Sequence, residues 1–171
     1  MAATEKVKRP LIAHFLDVLQ SPTWAGAEWE RLGKNVTDAS VSFNPQTETE
    51  QDIISDSATT EITGYQPNMP VSQQCTKGDP IFDFVTKLRR KRAVLGDSHS
   101  WVLNVDLYDF TGTGETKIYV GEVQECSVQV DEYGGAGGET PTQSFTINYI
   151  GDPIPVTISI DASGELVVVS A

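Results

Sequence analysis

The stretch WVLNVDLY at residues 101–108 decides the fold class, because its apolar side chains recur at every second position. These alternating apolar residues are Trp101, Leu103, Val105 and Leu107. A period of two is typical of a β-strand that buries one face. The same alternation recurs within 116–130, 145–149 and 154–160. We therefore predict that residues 100–170 form antiparallel β-strands almost throughout.

Glycine and aspartate mark where these strands turn or bend. The predicted turns and loops lie at 112–114, 134–138, 151–152 and 161–164, the last of which closes a hairpin at the end of the chain. Within 116–130 the apolar phase slips near Gly121 and again near Glu125. A slip of phase predicts a bulge that bends the strand.

One helix is predicted over 79–95. Asp79 is a favoured N-cap, and Pro80 suits the first helical position. The apolar stripe that would face the core consists of Ile81, Phe84, Val85 and Leu88. Gly96 is expected to follow the helix in the left-handed C′ position. The five Lys and Arg residues within 87–92 suit the carbonyl end, so we interpret them as a solvated helix face, not as a nucleic-acid site.

The N-terminal half is less regular. Residues 1–10 are predicted to form a loose arm, and residues 11–19 a buried strand, with a short helix as the alternative. We expect a turn at 29–33 and an alternating strand at 39–43. Residues 46–78 are largely polar and rich in Thr and Ser, which predicts a long loop or hairpin excursion, interrupted by a break at 66–70. Excursions of this length are usually functional or ordered by a partner.

The charge of the chain is unevenly distributed. Residues 1–92 carry eleven Lys and Arg and twelve Asp and Glu, whereas residues 93–171 carry one Lys and twelve acids. Nearly all of the net charge of −12 therefore belongs to the strand-rich half. Such a surface repels itself and repels nucleic acid, so the function should explain why it is tolerated.

Catalytic and metal-binding motifs are weak in this sequence. His14 and His99 are far apart and lack metal-ligand spacing. Cys75 and Cys126 are expected to be reduced thiols, not a disulfide framework. Paired carboxylates are possible, but a solvated acidic face is the favoured interpretation. We therefore expect no enzymatic activity, no catalytic residue, no cofactor and no metal.

The sequence also leads us to expect no membrane-spanning segment and no signal peptide. The longest uncharged apolar run, at 166–169, is far shorter than the roughly 20 residues that span a bilayer. The apolar stretch at 11–19 is interrupted by His14 and Asp17 and lacks a cleavage site. We therefore expect a single domain over 1–171 that is made in a cytoplasm.

The order of several short motifs over residues 11–160 resembles a known family. These motifs are HFLD (14–17), WERLGK (29–34), FNP (43–45), TEITGYQP (60–67), GDPIF (78–82), LNVDLY (103–108) and YIGD (149–152). Together they resemble the major tail proteins, or tail tube proteins, of long-tailed phages of Gram-positive hosts. The motifs are individually unspecific, and the resemblance depends on their joint order.

The resemblance implies a β-sandwich or barrel of antiparallel strands with one flanking helix, a mainly β protein of the α+β kind. In that family six copies form a ring, and stacked rings form a hollow tube through which DNA passes during ejection without specific binding. The implied partners are other copies of the chain, a tape-measure protein, and the tail terminator and distal tail proteins. The implied location is the virion tail, assembled in the bacterial cytoplasm.

Two sets of residues are candidates for this function. Polar positions on the two long strands predict a lumen lined by Asp106, Glu122, Gln124, Glu125 and Asp131. The polar excursion predicts contacts between rings or subunits at Glu50, Asp52, Tyr65 and Met69.

Three other functions stay open from the sequence. One is the inner tube of a contractile injection device, which shares this fold. A second is a monomeric β-sandwich binding module that uses Trp24, Trp29 or Trp101. The third is a hydrolase that uses Glu122 and Glu125.

Overall fold

The computed structural model of the chain describes residues 5–54, 56–114, 117–160 and 166–170. Within these residues the protein is mainly β, with one α-helix, as predicted. The helix α1 spans Pro80–Lys91, and the strands are β1 (Ile12–Asp17), β2 (Trp29–Leu32), β3 (Val36–Ala39), β4 (Pro45–Glu50), β5 (Thr59–Tyr65), β6 (Asn68–Gln74), β7 (His99–Thr111), β8 (Ile118–Gly134), β9 (Thr142–Ile160) and β10 (Leu166–Ser170). The predicted turn at 161–164 lies outside the described residues, as do the first four residues of the predicted arm.

Eight strands form one antiparallel sheet that curls into a half-barrel. Their order is β2-β1-β7-β8-β9-β6-β3, and β10 pairs with β9. β2 and β3 stand at opposite ends of this order, yet only residues 33–35 separate them in the chain. Because so short a connection holds the two ends close together, the sheet has to curl. β4 and β5 form a separate two-stranded sheet.

A bulge bends the longest pair of strands. Val123 of β8 faces Ile154 of β9, but Glu125, two residues further along β8, faces Ile150. The extra residues of β9 include Gly151, whose φ of 68° suits glycine. The predicted turn at this point is therefore wrong, because the chain bulges and continues as one strand. The bend near Glu125 is confirmed.

The bend separates two apolar clusters. The helix-side core lies between α1 and one face of the sheet and contains Leu16, Leu32, Ala39, Met69, Val71, Ile81, Phe84, Val85, Leu88, Val102, Cys126, Val128, Phe145 and Ile147. The second core contains Ala13, Phe15, Leu103, Val105, Val123, Val156 and Ile158. Neighbouring residues of β7 contribute to different cores, Val102 to the first and Leu103 to the second. Since alternate residues of a strand point to opposite faces, the two cores lie on opposite faces of the sheet.

Helix α1 begins as predicted but ends earlier. Asp79 caps it, with a carboxylate oxygen that accepts a hydrogen bond from the backbone N–H of Phe82 at 3.0 Å. The helix stops at Lys91, and Arg92 takes the left-handed conformation with a φ of 53°. The N–H of Ala93 then bonds to the carbonyl of Leu88, a Schellman-type closure. The predicted extension to residue 95, with Gly96 as the C′ residue, is therefore wrong.

Three predictions for the N-terminal half also need correction. Residues 29–32 are not a turn but the strand β2, which pairs with β1. The third strand ends at Ala39, earlier than predicted. The break predicted at 66–70 contains the start of β6, in which Met69 is fully buried. Pro70 is tolerated there because β3 pairs with β6 only from Val71 onward, so no β3 residue needs its missing N–H.

Candidate functional site

The sheet has two open margins beyond the bend. β1 accompanies β7 only as far as the pair Ile12–Asp106, so residues 107–111 have β8 as their sole neighbouring strand within the described chain. On the far side, β10 pairs with β9 and with no other described strand. We call residues 104–111, 118–123, 154–160 and 166–170 the open sheet. Its two margins present backbone N–H and C=O groups without a strand partner, which favours pairing with another chain.

The open sheet also carries apolar side chains in water. Those more than 40 % exposed are Tyr108, Phe110, Ile118, Val120 and Val167. One face of this sheet is covered by the second core. Ile118 and Val120 alternate with Tyr119, which packs on the second core, so they lie on the uncovered face. Tyr108 and Phe110 lie on the β7 margin and Val167 on the β10 margin. Exposed apolar residues next to free strand edges are typical of an association surface.

Two of the predicted lumen residues share the uncovered face of the open sheet. Asn104 stands opposite Glu122, and Asp106 stands opposite Val120. Directly opposed residues share a face, so Asp106 and Glu122 lie diagonally on the same one. Glu122 is exposed and Asp106 is half-buried. The ammonium of Lys117 lies 4.2 Å from the centre of the Phe110 ring and forms no ion pair with a described acid.

The other three predicted lumen residues lie elsewhere. Gln124 is buried, and its side chain donates a hydrogen bond to the carbonyl of Gly151 at 2.5 Å, so its prediction as a lining residue is wrong for this chain. Glu125 stands opposite Trp101, on the face opposite to Glu122. Asp131 is exposed further along β8 and accepts hydrogen bonds from two neighbouring side chains.

The hydrolase interpretation does not fit this geometry. Glu122 and Glu125 are three positions apart on a regular stretch of β8, so their carboxylates leave opposite faces. A pair of catalytic carboxylates has to flank one substrate bond. Oε1 of Glu125 instead lies 2.9 Å from Nδ1 of His99, within hydrogen-bond distance. The hydroxyls of Ser98 and Ser100 donate to backbone carbonyls, so neither is oriented as a nucleophile beside His99.

Of the four predicted inter-subunit residues, three are exposed and one is buried. Glu50 and Tyr65 are exposed at the ends of β4 and β5, and Asp52 is exposed in the connection between them. Met69 has no exposed surface and packs in the helix-side core. Its prediction as a contact residue is therefore wrong, because β6 is an interior strand between β9 and β3.

A buried polar cluster lies where the helix-side core meets the open sheet. Nδ1 of His14 is 2.8 Å from Oδ1 of Asn104, and the Asn104 amide donates to the hydroxyl of Tyr149 at 3.1 Å. Burial is the main cause that lowers the pKa of His14, which is 5 % exposed. Burial also raises the pKa of Tyr149 to about 12. Both side chains are therefore neutral near pH 7, and they fix the side chain of Asn104 within β7.

The buried His14 predicts a pH dependence of stability. Its folded-state pKa lies below the ordinary value of 6.5, so the unfolded chain takes up the proton first as the pH falls. The free energy of unfolding should therefore decrease as the pH drops from 6.5 toward the folded pKa. His14→Gln, which lacks the titrating group, should show a flatter profile over this window. Urea unfolding at pH 5.5, 6.5 and 7.5 measures the difference; parallel profiles for the two proteins would contradict the prediction.

The tryptophans proposed for a binding module pack against the protein. Trp24, Trp29 and Trp101 all pack against the second core. The indole N–H of Trp101 donates to the carbonyl of Ser21 at 3.0 Å. The expectation that Trp101 contributes to the core is confirmed, and none of the three forms an open aromatic platform.

Sequence reasoning missed the free margin at 107–111 and the cluster around Asn104. The margin follows from where β1 stops, which depends on a pairing between residues about 90 positions apart. The sequence did contain a local signal for this margin. The regular alternation of apolar residues is followed at 108–111 by residues that are all polar or aromatic. The cluster had no local signal, since its three members lie on three different strands.

Two further findings concern metal sites and membrane-spanning helices in the described part of the chain. No group of three or more His, Cys, Asp and Glu side chains among the described residues is arranged to hold a metal ion. The only described α-helix is too short and too polar to cross a membrane.

No protein-family model matches the chain, and no curated protein matches its sequence.

Proposed function

We propose that the chain is the structural subunit of a phage tail tube. Six copies form a ring, and stacked rings enclose a bore through which DNA passes during ejection. The subunit acts in the virion without catalysis or a cofactor. Its partners are its own copies, a tape-measure protein inside the tube, and the terminator and distal tail proteins at the tube ends.

The observation that carries this proposal is the pair of open margins. Neighbouring strands of the open sheet are antiparallel, so direction alternates from β7 through β8 and β9 to β10. β7 and β10 consequently run in opposite directions. If β10 of one copy lies beside β7 of the next, the antiparallel order continues across the boundary. Such a contact is heterologous, and a closed ring of copies would leave the open sheet without a free edge.

The acidic face supports the same function. On the uncovered face of the open sheet, Asp106 and Glu122 would point into the bore of a closed barrel. A bore wall that presents these acids offers phosphates no multivalent attraction, so DNA slides. The Debye length at physiological salt is about 8 Å, so the repulsion acts close to the wall and keeps the duplex central.

Assembly is the direct test. Concentrated wild-type protein is expected to form long tubes visible by negative-stain microscopy. A variant with Tyr108→Lys and Phe110→Lys at the β7 margin should stay monomeric in sedimentation, because charges on an edge strand oppose edge-to-edge pairing. Phe43→Lys, at an exposed aromatic outside the open sheet, is the control and should assemble. Wild-type protein that stays monomeric at every concentration would refute the proposal.

The lining residues have a separate test. The variant Asp106→Lys with Glu122→Lys should still assemble but should eject DNA more slowly, because the bore then attracts phosphates. Asp38→Lys with Glu139→Lys makes the same charge change at exposed positions outside the open sheet and should leave ejection unchanged. Fluorescence of ejected DNA from reconstituted phage measures the rate. Equal rates for the two variants would exclude Asp106 and Glu122 from the bore.

A further inference from the structure

The hairpin of β4 and β5 is an acidic projection with an apolar tip. Between residues 45 and 65 the chain has five acids and no Lys, Arg or His. These acids are Glu48, Glu50, Asp52, Asp56 and Glu61, and all are exposed. Near the tip, Ile53 is 104 % and Ile54 is 92 % exposed. β4 and β5 pair only with each other, and an isolated two-stranded hairpin is at best marginally stable in water.

The acids of the hairpin repel one another. Glu48 stands directly opposite Glu61, and Glu50 is two residues along on the same face of β4. Like charges in directly opposed positions destabilise a strand pair. No described cation lies within ion-pair distance of these acids. A cationic surface that docked on this face would remove the repulsion.

The C-terminal end of α1 has the opposite character. Lys87, Arg90, Lys91 and Arg92 are exposed, and the guanidinium of Arg89 lies 4.0 Å from the centre of the Tyr133 ring. Lys87 lies three positions before Arg90 and four positions before Lys91. These spacings make the side chains neighbours on the helix surface, so their like charges repel. None of these cations forms an ion pair with a described acid.

Apolar residues follow directly after these cations. Val94 is 68 % and Leu95 is 85 % exposed. Leu95 also has a φ of 52°, a left-handed conformation that is unfavourable for a residue other than glycine. Beside these residues runs a groove of about 560 Å³ between the helix end and β8, whose β8 wall carries the acids Asp131 and Glu132. We call residues 87–95 the basic end.

We infer that the hairpin of one copy docks on the basic end of another copy of this chain. Five exposed acids meet four exposed cations, and the exposed pair Ile53 and Ile54 meets the exposed pair Val94 and Leu95. Each surface repels itself when alone and is neutralised by the other. Donor and acceptor surfaces lie at different places on one chain, so the contact is heterologous and can propagate from copy to copy. This inference rests on the tail tube proposal for its setting and adds a second contact, separate from the open margins.

A charge swap tests the contact. The basic-hairpin variant carries Glu48→Lys, Glu50→Lys and Glu61→Lys, and the acidic-end variant carries Lys87→Glu, Arg90→Glu and Lys91→Glu. Each variant alone opposes like charges and should need at least ~100-fold more protein to assemble, since like-charge juxtaposition across an interface is strongly unfavourable. An equal mixture restores opposite charges at every contact and should assemble near the wild-type concentration. Glu5→Lys with Asp38→Lys and Glu139→Lys is the matched control and should assemble as wild type does.

A cross-link gives a readout that does not require tubes. In a Cys75→Ser chain with Ile54→Cys and Leu95→Cys, oxidation should produce a ladder of covalent multimers, whereas either cysteine substitution alone should produce no more than dimers because the remaining thiol, Cys126, is buried. The ladder supports the inference even if wild-type protein forms no tubes and the tail tube proposal fails, and rescue on mixing supports it where wild-type protein does assemble. Normal assembly of both charge variants overturns the inference, as does a mixture that stays unassembled or a cross-link confined within monomers. Each of these results is possible when wild-type protein forms tubes, so the inference can fail while the tail tube proposal stands.

Discussion

Replacing Phe145 by alanine is expected to lower the free energy of unfolding by about 3–5 kcal/mol. Phe145 of β9 has no exposed surface and lies in the helix-side core. Its direct cross-strand neighbours are Val71 on β6 and Val130 on β8, both held in their ladders. Because these strands are interior to the sheet, the cavity left by the ring would not collapse. Domains of this size are typically stable by about 5–15 kcal/mol, so the loss is a large fraction of the total.

Phe43→Ala is the matched control for this prediction. Phe43 is 61 % exposed, so its truncation should change stability by less than about 0.5 kcal/mol. Chemical unfolding followed by circular dichroism measures both variants at the same pH. Similar losses for the two substitutions would mean that Phe145 is not at the centre of a packed core.

Asp17→Ala is expected to lower the free energy of unfolding by about 3–5 kcal/mol. The Asp17 side chain is fully buried and accepts backbone N–H groups of Leu19 and Glu28 at 3.0 Å and of Ser21 at 2.6 Å. Hydrogen bonds to a charged group are worth about 1.5–3 kcal/mol each, and their losses are not additive. The carboxylate fixes the loop over 18–28, whose Trp24 packs on the second core.

Asp17→Asn separates the contributions of the two carboxylate oxygens. The backbone N–H groups of Leu19 and Glu28 both donate to Oδ1, and the amide oxygen of asparagine can accept these two bonds in its place. The N–H of Ser21 donates to Oδ2, and in the variant it would face the NH₂ group of asparagine, which cannot accept the bond. We therefore expect about half the loss seen with alanine. Thermal unfolding of the three proteins gives the order. A loss below about 1 kcal/mol for Asp17→Ala would contradict the assignment of this carboxylate as the anchor of the loop.

Under the proposed function, stability and assembly are expected to be separable in this protein. Phe145 and Asp17 lie inside one chain, and their substitution should reduce folding before it affects any contact between copies. The open margins and the basic end are exposed, so charge changes there should leave unfolding nearly unchanged and should alter association. Measuring both quantities for every variant therefore shows which part of the proposal a given result addresses.

The sequence alone predicted the elements that depend on local pattern. The alternation at Trp101–Leu107, the cap at Asp79 and the stripe along α1 each follow from contacts within a few residues. The bend near Glu125 was likewise visible as a slip of apolar phase. The helix end was misplaced because the closure at Arg92 satisfies the last carbonyls before Gly96 is reached.

Only the tertiary structure decided which residues face the same surface and where the sheet stays open. Glu122 and Glu125 look equivalent in the sequence, but pairing with β7 sends them to opposite faces. Met69 looks like part of a loop, but its position between β9 and β3 buries it. The physical reason is range: capping and periodicity act within one or two turns of chain, whereas burial and free edges depend on which distant strands pair.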